Sequence, residues 1–329
     1  GERGDDLIDG RGGWDYVWYG RSDGAVFVDL AAEYATGGED WDRLISIEGL
    51  GGSNYSDTLL GSDADNWFEA DWENDAYTPN HEVGGNDVID GRGGIDIVVY
   101  RHAANGIVAD LSTGRVIDGR GNLDTLISIE ALEVSDFDDS ILGVAGDDSL
   151  MGRAGNDSLS GGRGNDTLIG GAGADRLAGG DGADTLRGDA GSDNMTGGTG
   201  ADVFVVTVGG GADTIQDFEV GTDKIDLSVY GSYVSIVQSG TATLVTFATG
   251  VTMKLLNTTA TAITNDSFIG LPAPGSYTVI NGTAIGETIV GTGLADHIFG
   301  LEGIDTIKAG SGDDWLEGGA DGDKLIGEG

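Results

Sequence analysis

The sequence has no cysteine, three prolines and few basic side chains. Of its 329 residues, 16 are Lys or Arg and 57 are Asp or Glu, so the formal net charge is −41. The absence of cysteine excludes disulfides, iron–sulfur clusters, thiolate zinc sites and cysteine nucleophiles. The shortage of basic residues argues against a surface that binds nucleic acid or anionic membranes. No apolar run approaches the ~18 residues of a transmembrane helix.

Glycine and acidic residues dominate what is present. Glycine occurs 62 times, and 39% of the residues are hydrophobic. The hydrophobic residues recur in a regular rhythm, which argues against a disordered acidic chain. A folded protein with this many carboxylates needs positive charge among them, and a hard cation such as calcium is the obvious source.

The central part of the chain repeats every nine residues. The unit is G-G-x-G-x-D-x-U-x, where U is apolar, and residues 161–169 are a complete example. The aspartates of successive units are Asp139, Asp148, Asp157, Asp166, Asp175, Asp184, Asp193 and Asp202. The glycines two residues before seven of them are Gly146, Gly155, Gly164, Gly173, Gly182, Gly191 and Gly200.

The same unit returns near both ends of the chain. Near the C-terminus it places acids at Asp296, Asp305, Asp314 and Asp323. Near the N-terminus it occurs as two pairs, Asp6 with Asp15 and Asp87 with Asp96. These pairs belong to a longer duplication with an offset of 81 and then 82 residues. Because the chain begins and ends inside a repeat, we interpret it as a piece of a longer protein.

This spacing predicts stacked calcium sites. Three-residue strands joined by six-residue loops make a coil of 18 residues, and successive coils stack as parallel strands roughly 4.8 Å apart. Aspartates 18 residues apart then lie above one another, and glycine allows the loops to bring carbonyl oxygens near them. Calcium takes six to eight such oxygens. All the aspartates and glycines named above are therefore predicted to bind several Ca²⁺ ions, whose binding drives folding.

The repeat resembles the RTX (repeats-in-toxin, haemolysin-type) calcium-binding family. In addition, residues 201–205, 213–218 and 221–228 are similar to the β-sandwich that follows the roll in secreted serralysin-type proteases. The resemblance implies a parallel β-roll, export from bacteria by a type I system, and folding in the calcium of the extracellular space.

We therefore predict an all-β fold, in which calcium-stabilised parallel β-rolls flank a short antiparallel β-sandwich. The predicted segments are elaborated roll units at 1–66 and 82–142, an aromatic and acidic insert at 67–81, a nonapeptide roll at 143–205, the sandwich at 206–271, a linker at 272–281 and a second roll at 282–329.

The leading functional hypothesis is a non-enzymatic, calcium-binding module of a secreted or cell-surface bacterial protein. One alternative is a surface adhesin or S-layer-like assembly protein, in which calcium bridges molecules and the loop 67–80 binds a glycan or protein partner. Another is an appendage of an exported protease, lipase, epimerase or peroxidase. The aromatic residues of the insert are expected either to cover the roll or to bind such a partner.

Other motifs carry little weight. Residues 20–24 match G-x-S-x-G, but a strand pattern follows where a nucleophile elbow needs a helix. The three histidines form no zinc-binding H-E-x-x-H motif. Four acids at the start of the sandwich are either one more calcium site or solvated turn positions, and the sequence leaves both open. They are Asp213, Asp217, Asp223 and Asp226.

Overall fold

The computed structural model describes residues 4–37, 40–70, 85–228, 235–247, 251–270, 278–281, 286–291, 296–300, 303–310, 315–319 and 322–327. The all-β prediction is confirmed, because strands form nearly all of the regular structure in these ranges. The helices among them are the two 3₁₀ turns Ala260–Ala262 and Asn265–Ser267. None in the described ranges is long and apolar enough to cross a membrane.

The chain divides into two compact units. One comprises Gly1–Val229 and Ser235–Ile269, and the other Tyr230–Val234 and Gly270–Gly329. In the first unit, successive coils add strands alternately to two long sheets, which we call sheet 1 (17 strands) and sheet 2 (11 strands).

The N-terminal coils contain fourteen short strands. They are β1 (Leu7–Asp9), β2 (Tyr16–Trp18), β3 (Val26–Asp29), β4 (Tyr34–Gly37), β5 (Asp40–Ile45), β6 (Gly49–Gly51), β7 (Thr58–Leu60), β8 (Trp67–Glu69), β9 (Val88–Asp90), β10 (Ile97–Val99), β11 (Val108–Asp110), β12 (Arg115–Ile117), β13 (Leu123–Ile127) and β14 (Ala131–Glu133). Sheet 2 takes β2, β6, β8, β10 and β14 in unbroken parallel order.

Two three-stranded antiparallel meanders interrupt the parallel order of sheet 1. The first is β3–β4–β5, whose outer strands pair in parallel with β7 and β1. The second is β11–β12–β13, whose outer strands pair in parallel with β15 (Ser140–Leu142) and β9. In chain order, each meander stands where an ordinary coil has one strand of sheet 1. The two meanders belong to the two copies of the duplicated sequence.

The nonapeptide region forms the most regular part of the roll. Its remaining strands are β16 (Ser149–Ala154), β17 (Ser158–Arg163), β18 (Thr167–Gly173), β19 (Arg176–Asp181), β20 (Thr185–Gly191), β21 (Asn194–Thr199) and β22 (Val203–Val205). Leu150 lies opposite Leu168, and Leu159 opposite Leu177, so neighbours in a sheet are 18 residues apart. These leucines are at most 1% exposed and form the core. Several strands are longer than predicted, because ladder pairing continues into the glycine loops.

The region predicted to be a sandwich extends both sheets of the roll. Its strands are β23 (Ala212–Ile215), β24 (Lys224–Asp226), β25 (Ser235–Ser239), β26 (Ala242–Thr246), β27 (Thr252–Leu255) and β28 (Phe268–Ile269). β23 and β24 pair in parallel with β21 and β22. Antiparallel pairs are confined to a third meander, β25–β26–β27, which joins sheet 1 through parallel pairing of β27 with β23. Alternating Thr and Val indicate strands but not the direction of their neighbours.

The first residues of the predicted insert lie in the roll. Trp67–Glu69 is β8, and Phe68 is fully buried in the core. Arg101 lies over the Trp67 ring, with its guanidinium carbon 5.3 Å from the ring centre. Residues 71–81 of the insert, including Trp72 and Tyr77, fall outside the described residues.

The second unit contains two three-stranded parallel sheets. Their strands are β29 (Thr278–Asn281), β30 (Thr288–Val290), β31 (Asp296–Phe299), β32 (Thr306–Lys308), β33 (Trp315–Glu317) and β34 (Lys324–Ile326). The register again advances by 18 residues, with Ile289 opposite Ile307. Ile289, Ile298 and Ile307 form the core of this unit. The last four residues of the predicted linker are β29.

Candidate metal centre

The repeating aspartates of the nonapeptide region lie just before the strands and are buried. Their exposure is at most 3%, which is unusual for carboxylates without a charged partner. Because neighbouring coils are in register, the aspartates form two columns. Column 1 borders sheet 1 and contains Asp139, Asp157, Asp175 and Asp193; column 2 borders sheet 2 and contains Asp148, Asp166, Asp184 and Asp202.

Hydrogen bonds link successive aspartates within a column. The backbone N–H of Asp139 donates to Oδ1 of Asp157 at 2.8 Å, and that of Asp148 donates to Oδ1 of Asp166 at 2.8 Å. The same bond, at 2.8–3.0 Å, is accepted by Asp175, Asp184, Asp193 and Asp202. One oxygen of each of these six acceptor carboxylates is thus satisfied by the backbone of the preceding coil.

The other carboxylate oxygen of these aspartates has no hydrogen-bond donor. It is buried and unpartnered in the described structure at Asp157, Asp166, Asp175, Asp184, Asp193 and Asp202. At Asp148 the unpartnered oxygen is Oδ1. A buried charged oxygen without a partner costs several kcal/mol of solvation free energy, on the order of that for other buried ions. These positions therefore require a proton or a cation.

Burial changes the acidity of the columns. It raises the pKa of Asp157 to about 7 and the pKa values of Asp148, Asp175 and Asp184 to about 6, with further contributions from neighbouring carboxylates. Hydrogen bonds from the preceding backbone oppose this rise in pKa. Without a cation, these four carboxyl groups keep their protons to a higher pH than exposed aspartates do.

Two sets of glycines shape the loops. A methyl carbon on Gly170 would lie 2.3 Å from Oδ2 of Asp175, so the first glycine of the unit makes room for the carboxylate. The predicted site glycines, two residues before the aspartates, pack against the preceding coil. A methyl carbon on Gly182 would lie 1.7 Å from the Gly164 carbonyl oxygen. Gly155, Gly164, Gly173, Gly182, Gly191 and Gly200 all have positive φ. Gly146 differs, with open space around its Cα.

The acids predicted in the repeats near the two ends of the chain occupy places equivalent to those of the column aspartates. Asp96 is fully buried, with Oδ2 unpartnered, and one oxygen each of Asp6 and Asp15 is likewise buried and unpartnered. Asp87 is 5% exposed, and its Oδ1 accepts the N–H of Asp57 at 2.8 Å.

In the second unit the column pattern recurs. Oδ1 of Asp305 accepts the N–H of Glu287 at 2.8 Å, and the N–H of Asp305 donates to Asp323 at 2.8 Å. Asp305 and Asp296 are fully buried, and Oδ2 of Asp305 is unpartnered. Asp314 lies outside the described residues.

Several members of the columns are not predicted by the nonapeptide spacing. Glu48 and Glu130 accept the N–H groups of Asp15 and Asp96, at 2.9 Å and 3.0 Å, where a meander returns to sheet 2. Three further members of the same kind accept hydrogen bonds from the preceding coil or meander: Asp42, Asp57 and Asp124. Asn66 takes an equivalent place, but its side-chain amide donates to the Glu48 carbonyl oxygen at 3.4 Å. The repeated Leu-Ile-Ser-Ile-Glu segments were the available signal for the two glutamates.

The four acids at the start of the predicted sandwich do not lie together in the structure. Asp213 and Asp223 extend columns 1 and 2, because they accept the N–H groups of Asp193 and Asp202, each at 3.1 Å. Asp217 instead accepts the N–H of Gly197 at 3.0 Å, and Asp226 accepts that of Ser228 at 2.8 Å. Together they form no single metal site within the described structure.

A cation in the columns requires backbone oxygens as well as carboxylates. No three His, Asp or Glu side chains converge on a common point in the described residues. However, a methyl carbon on Gly152 would meet Oδ2 of Asp157 at 2.3 Å and the carbonyl oxygen of Gly170 at 2.7 Å. These two oxygens, from successive loops, therefore face a common point. Calcium accepts both kinds of oxygen, so the columns fit this ion.

Comparison with known protein families agrees with this geometry. The family model described as the RTX calcium-binding nonapeptide repeat (four copies) matches residues 1–24, 51–78, 134–168, 169–204 and 290–325. The matched segments of the chain are RTX calcium-binding nonapeptide repeats. The best-formed RTX repeats, at residues 134–204, contain the two buried columns. No curated protein matches the chain.

Two solved structures are similar to parts of the chain. The AlgE6R3 subunit of the Azotobacter vinelandii mannuronan C5-epimerase is 28% identical, with 43% of this chain and 81% of that chain covered and a TM-score of 0.30. The extracellular lipase LipA from Serratia marcescens is 18% identical, with 67% of this chain and 40% of that chain covered and a TM-score of 0.24.

Proposed function

We propose that this chain is a calcium-binding RTX module of a secreted or cell-surface bacterial protein, which folds and is stabilised when it meets calcium outside the cell after type I export. The observation that carries the proposal is the row of buried aspartate oxygens without hydrogen-bond donors. Such oxygens destabilise the fold when they are charged and alone, and a divalent cation converts them into ligands.

The residues proposed to hold calcium are the column acids that keep a buried oxygen without a donor. Oδ2 of an aspartate and the carbonyl oxygen of the first glycine in the next loop supply oxygens from two successive coils, as at Asp157 and Gly170. The ion supplies positive charge between stacked carboxylates. Because the site joins two coils, binding free energy becomes folding free energy.

The role proposed for the chain is structural, without a catalytic step of its own. Its buried acids form repeating columns instead of one differentiated pair, and their backbone partners hold them in place. An extracellular setting supports the proposal, because calcium modules there bind with dissociation constants of about 10⁻⁴–10⁻³ M. A cysteine-free chain also needs no redox control of folding.

Calcium removal tests the proposal on the whole chain. Circular dichroism in EDTA is expected to show mostly disordered chain, and millimolar Ca²⁺ is expected to produce β structure and protease resistance. Mg²⁺ at the same concentration is the control, since it keeps its waters and demands a smaller octahedral site. An unchanged spectrum and protease resistance in EDTA would contradict the proposal.

A further inference from the structure

The loops before the column acids adopt two conformations, which differ at the residue four positions before the acid. In the first, which we call the open loop, this residue has positive φ. The open-loop residues are Arg11 (68°), Arg92 (72°), Arg153 (75°), Gly162 (115°), Gly171 (110°), Gly180 (123°), Asp189 (67°), Gly198 (104°), Gly209 (85°) and Gly319 (98°). Positive φ is costly for residues other than glycine, so its recurrence at three arginines and an aspartate marks an imposed conformation.

Eight of the ten acids that follow these open loops have a buried, unpartnered oxygen, which is Oδ2 in each case. The eight acids are Asp15, Asp96, Asp157, Asp166, Asp175, Asp184, Asp193 and Asp202. The other two, Asp213 and Asp323, end their columns and have no such oxygen among the described atoms. The open conformation therefore accompanies the unpartnered carboxylate oxygens within the columns.

In the second conformation, which we call the closed loop, the loop itself satisfies the acid. The N–H of Ser135 donates to Oδ2 of Asp139 at 3.0 Å, and its hydroxyl lies 2.8 Å from Oδ1. The same backbone bond joins four other pairs, at 2.5–2.7 Å: Ser53 with Asp57, Ser62 with Asn66, Val144 with Asp148 and Glu219 with Asp223. None of these five donor residues has positive φ. Of the five acceptor residues, Asp148 alone has a buried unpartnered oxygen among the described atoms.

Two tyrosines satisfy further acids in the meander coils. The hydroxyl of Tyr19 donates to Oδ2 of Asp42 at 3.1 Å, and that of Tyr100 donates to Oδ2 of Asp124 at 2.8 Å. The tyrosines occupy matching positions in the two sequence copies. Burial raises the pKa of Tyr19, so this hydroxyl keeps its proton beside the carboxylate.

We propose that cations bind at the open loops and are excluded from the closed loops, where serine or tyrosine donors take the place of the ion. The inference rests on the proposed calcium function and narrows its sites. A cation at Asp139 would displace the hydrogen bonds that Ser135 donates to this charged group. Asn66 supports the assignment, because a neutral amide occupies the acid position of a closed loop. Asp148 combines both features, since Val144 N–H donates to its Oδ2 while Oδ1 is unpartnered.

It follows that calcium is unevenly distributed along the first unit. Between Asp15 and Asp157, the closed loops and the tyrosines satisfy five column positions without an ion: Asp42, Asp57, Asn66, Asp124 and Asp139. The open loops are concentrated between Asp157 and Asp202. The meander coils are thus built with few ions, and the nonapeptide coils depend on them.

Neighbouring coils offer a matched test of the loop conformation. Arg153 and Ser135 occupy the same loop position one coil apart. Arg153→Ser is expected to close the loop at Asp157 and to reduce the number of bound calcium ions by at least one. Arg153→Gly is the control, because it removes the same ion pairs with Glu133 and Asp136 but tolerates positive φ; it should keep the full number.

A second pair of variants tests the acids directly. Asp139→Asn is expected to leave the number of bound ions unchanged, whereas Asp157→Asn should lower it by at least one. Bound calcium is counted per chain by equilibrium dialysis with atomic emission, and circular dichroism checks the fold of each variant. Loss of an ion in Asp139→Asn, or equal numbers in Arg153→Ser and Arg153→Gly, overturns the inference. A wild-type chain that binds no calcium would instead refute the proposed function.

Discussion

At the scale of single residues, the roll depends on positions where a side chain has no room. The first glycine of each unit faces the aspartate carboxylate five residues later. Here the absence of Cβ, rather than a special backbone angle, explains the glycine. The buried aspartate and the first glycine of the same unit therefore form one structural feature.

Gly170→Ala tests this contact. The added methyl would lie 2.3 Å from Oδ2 of Asp175 and 2.9 Å from the Gly188 carbonyl oxygen, so it must displace the carboxylate. We expect calcium affinity to fall and the free energy of unfolding in calcium to drop by about 1–3 kcal/mol, as for other overpacked sites. Calcium titration and chemical denaturation measure the two effects.

The matched control is Gly146→Ala. Nothing lies within 4 Å of a methyl carbon at Gly146, so stability should change by no more than about 0.5 kcal/mol. Equal effects of the two substitutions would show that the carboxylate contact does not explain the first glycine.

Single residues also show what the sequence could predict. The placement of Asp157, Asp175 and Asp193 in one column follows from a spacing of 18, because strand period and coil length fix it. The spacing of the aspartates did not identify Glu48 as a column member, because a glutamate takes the place of the aspartate where the chain returns from the meander to sheet 2. Nor did it show that Ser135 closes its loop, because that depends on one backbone angle.

At the scale of elements, three meanders each replace one strand of sheet 1. The sequence indicated the first two through their shared residues. The third, β25–β26–β27, shares no such residues with them, and its hydrogen-bond pattern alone reveals the equivalence. Alternation predicted the strands correctly but carried no information about their parallel attachment to the roll.

A half-buried ion pair ties the first meander to the roll. Both terminal nitrogens of Arg92 donate to Asp29, at 2.8 Å each, and Nη1 also donates to the Gly61 carbonyl oxygen at 2.8 Å. The guanidinium lowers the pKa of Asp29. Arg92→Lys removes the paired geometry, so we expect a loss of about 1–2 kcal/mol in the free energy of unfolding, measured by denaturation in saturating calcium.

The equivalent residue of the first sequence copy provides the control. Arg11 has nearly the same backbone angle as Arg92, with φ of 68° against 72°. Its side chain is 86% exposed and lies 3.8 Å from Asp9, so Arg11→Lys should change stability little. If the two variants lose equal stability, the Arg92–Asp29 pair does not tie the meander to the roll.

At the scale of the whole molecule, protons and calcium compete for the same acids. The net charge of −41 opposes a compact state, and buried carboxylates add to the opposition. Burial raises pKa values to about 7 at Asp157 and Asp213 and to about 6 at Asp96 and Asp184. Their unfolded value is near 3.9, so the folded chain binds more protons than the unfolded chain between about pH 4 and 7.

This difference in bound protons determines whether the stability of the calcium-free chain rises or falls with pH. Stability falls as pH rises wherever the folded state binds more protons. In EDTA, we therefore expect more β structure and a higher thermal midpoint at pH 5 than at pH 8, because protonation removes the buried charge. Circular dichroism and thermal unfolding at the two pH values measure the effect.

In saturating calcium the order should reverse. The ion requires deprotonated ligands, so acid releases it and lowers the thermal midpoint. Proton and cation thus act as alternative occupants of the columns, the first compatible with folding near pH 5 and the second near pH 8. If the chain in EDTA is more stable at pH 8 than at pH 5, the unpartnered carboxylates do not oppose folding, and the physical basis for calcium dependence is lost.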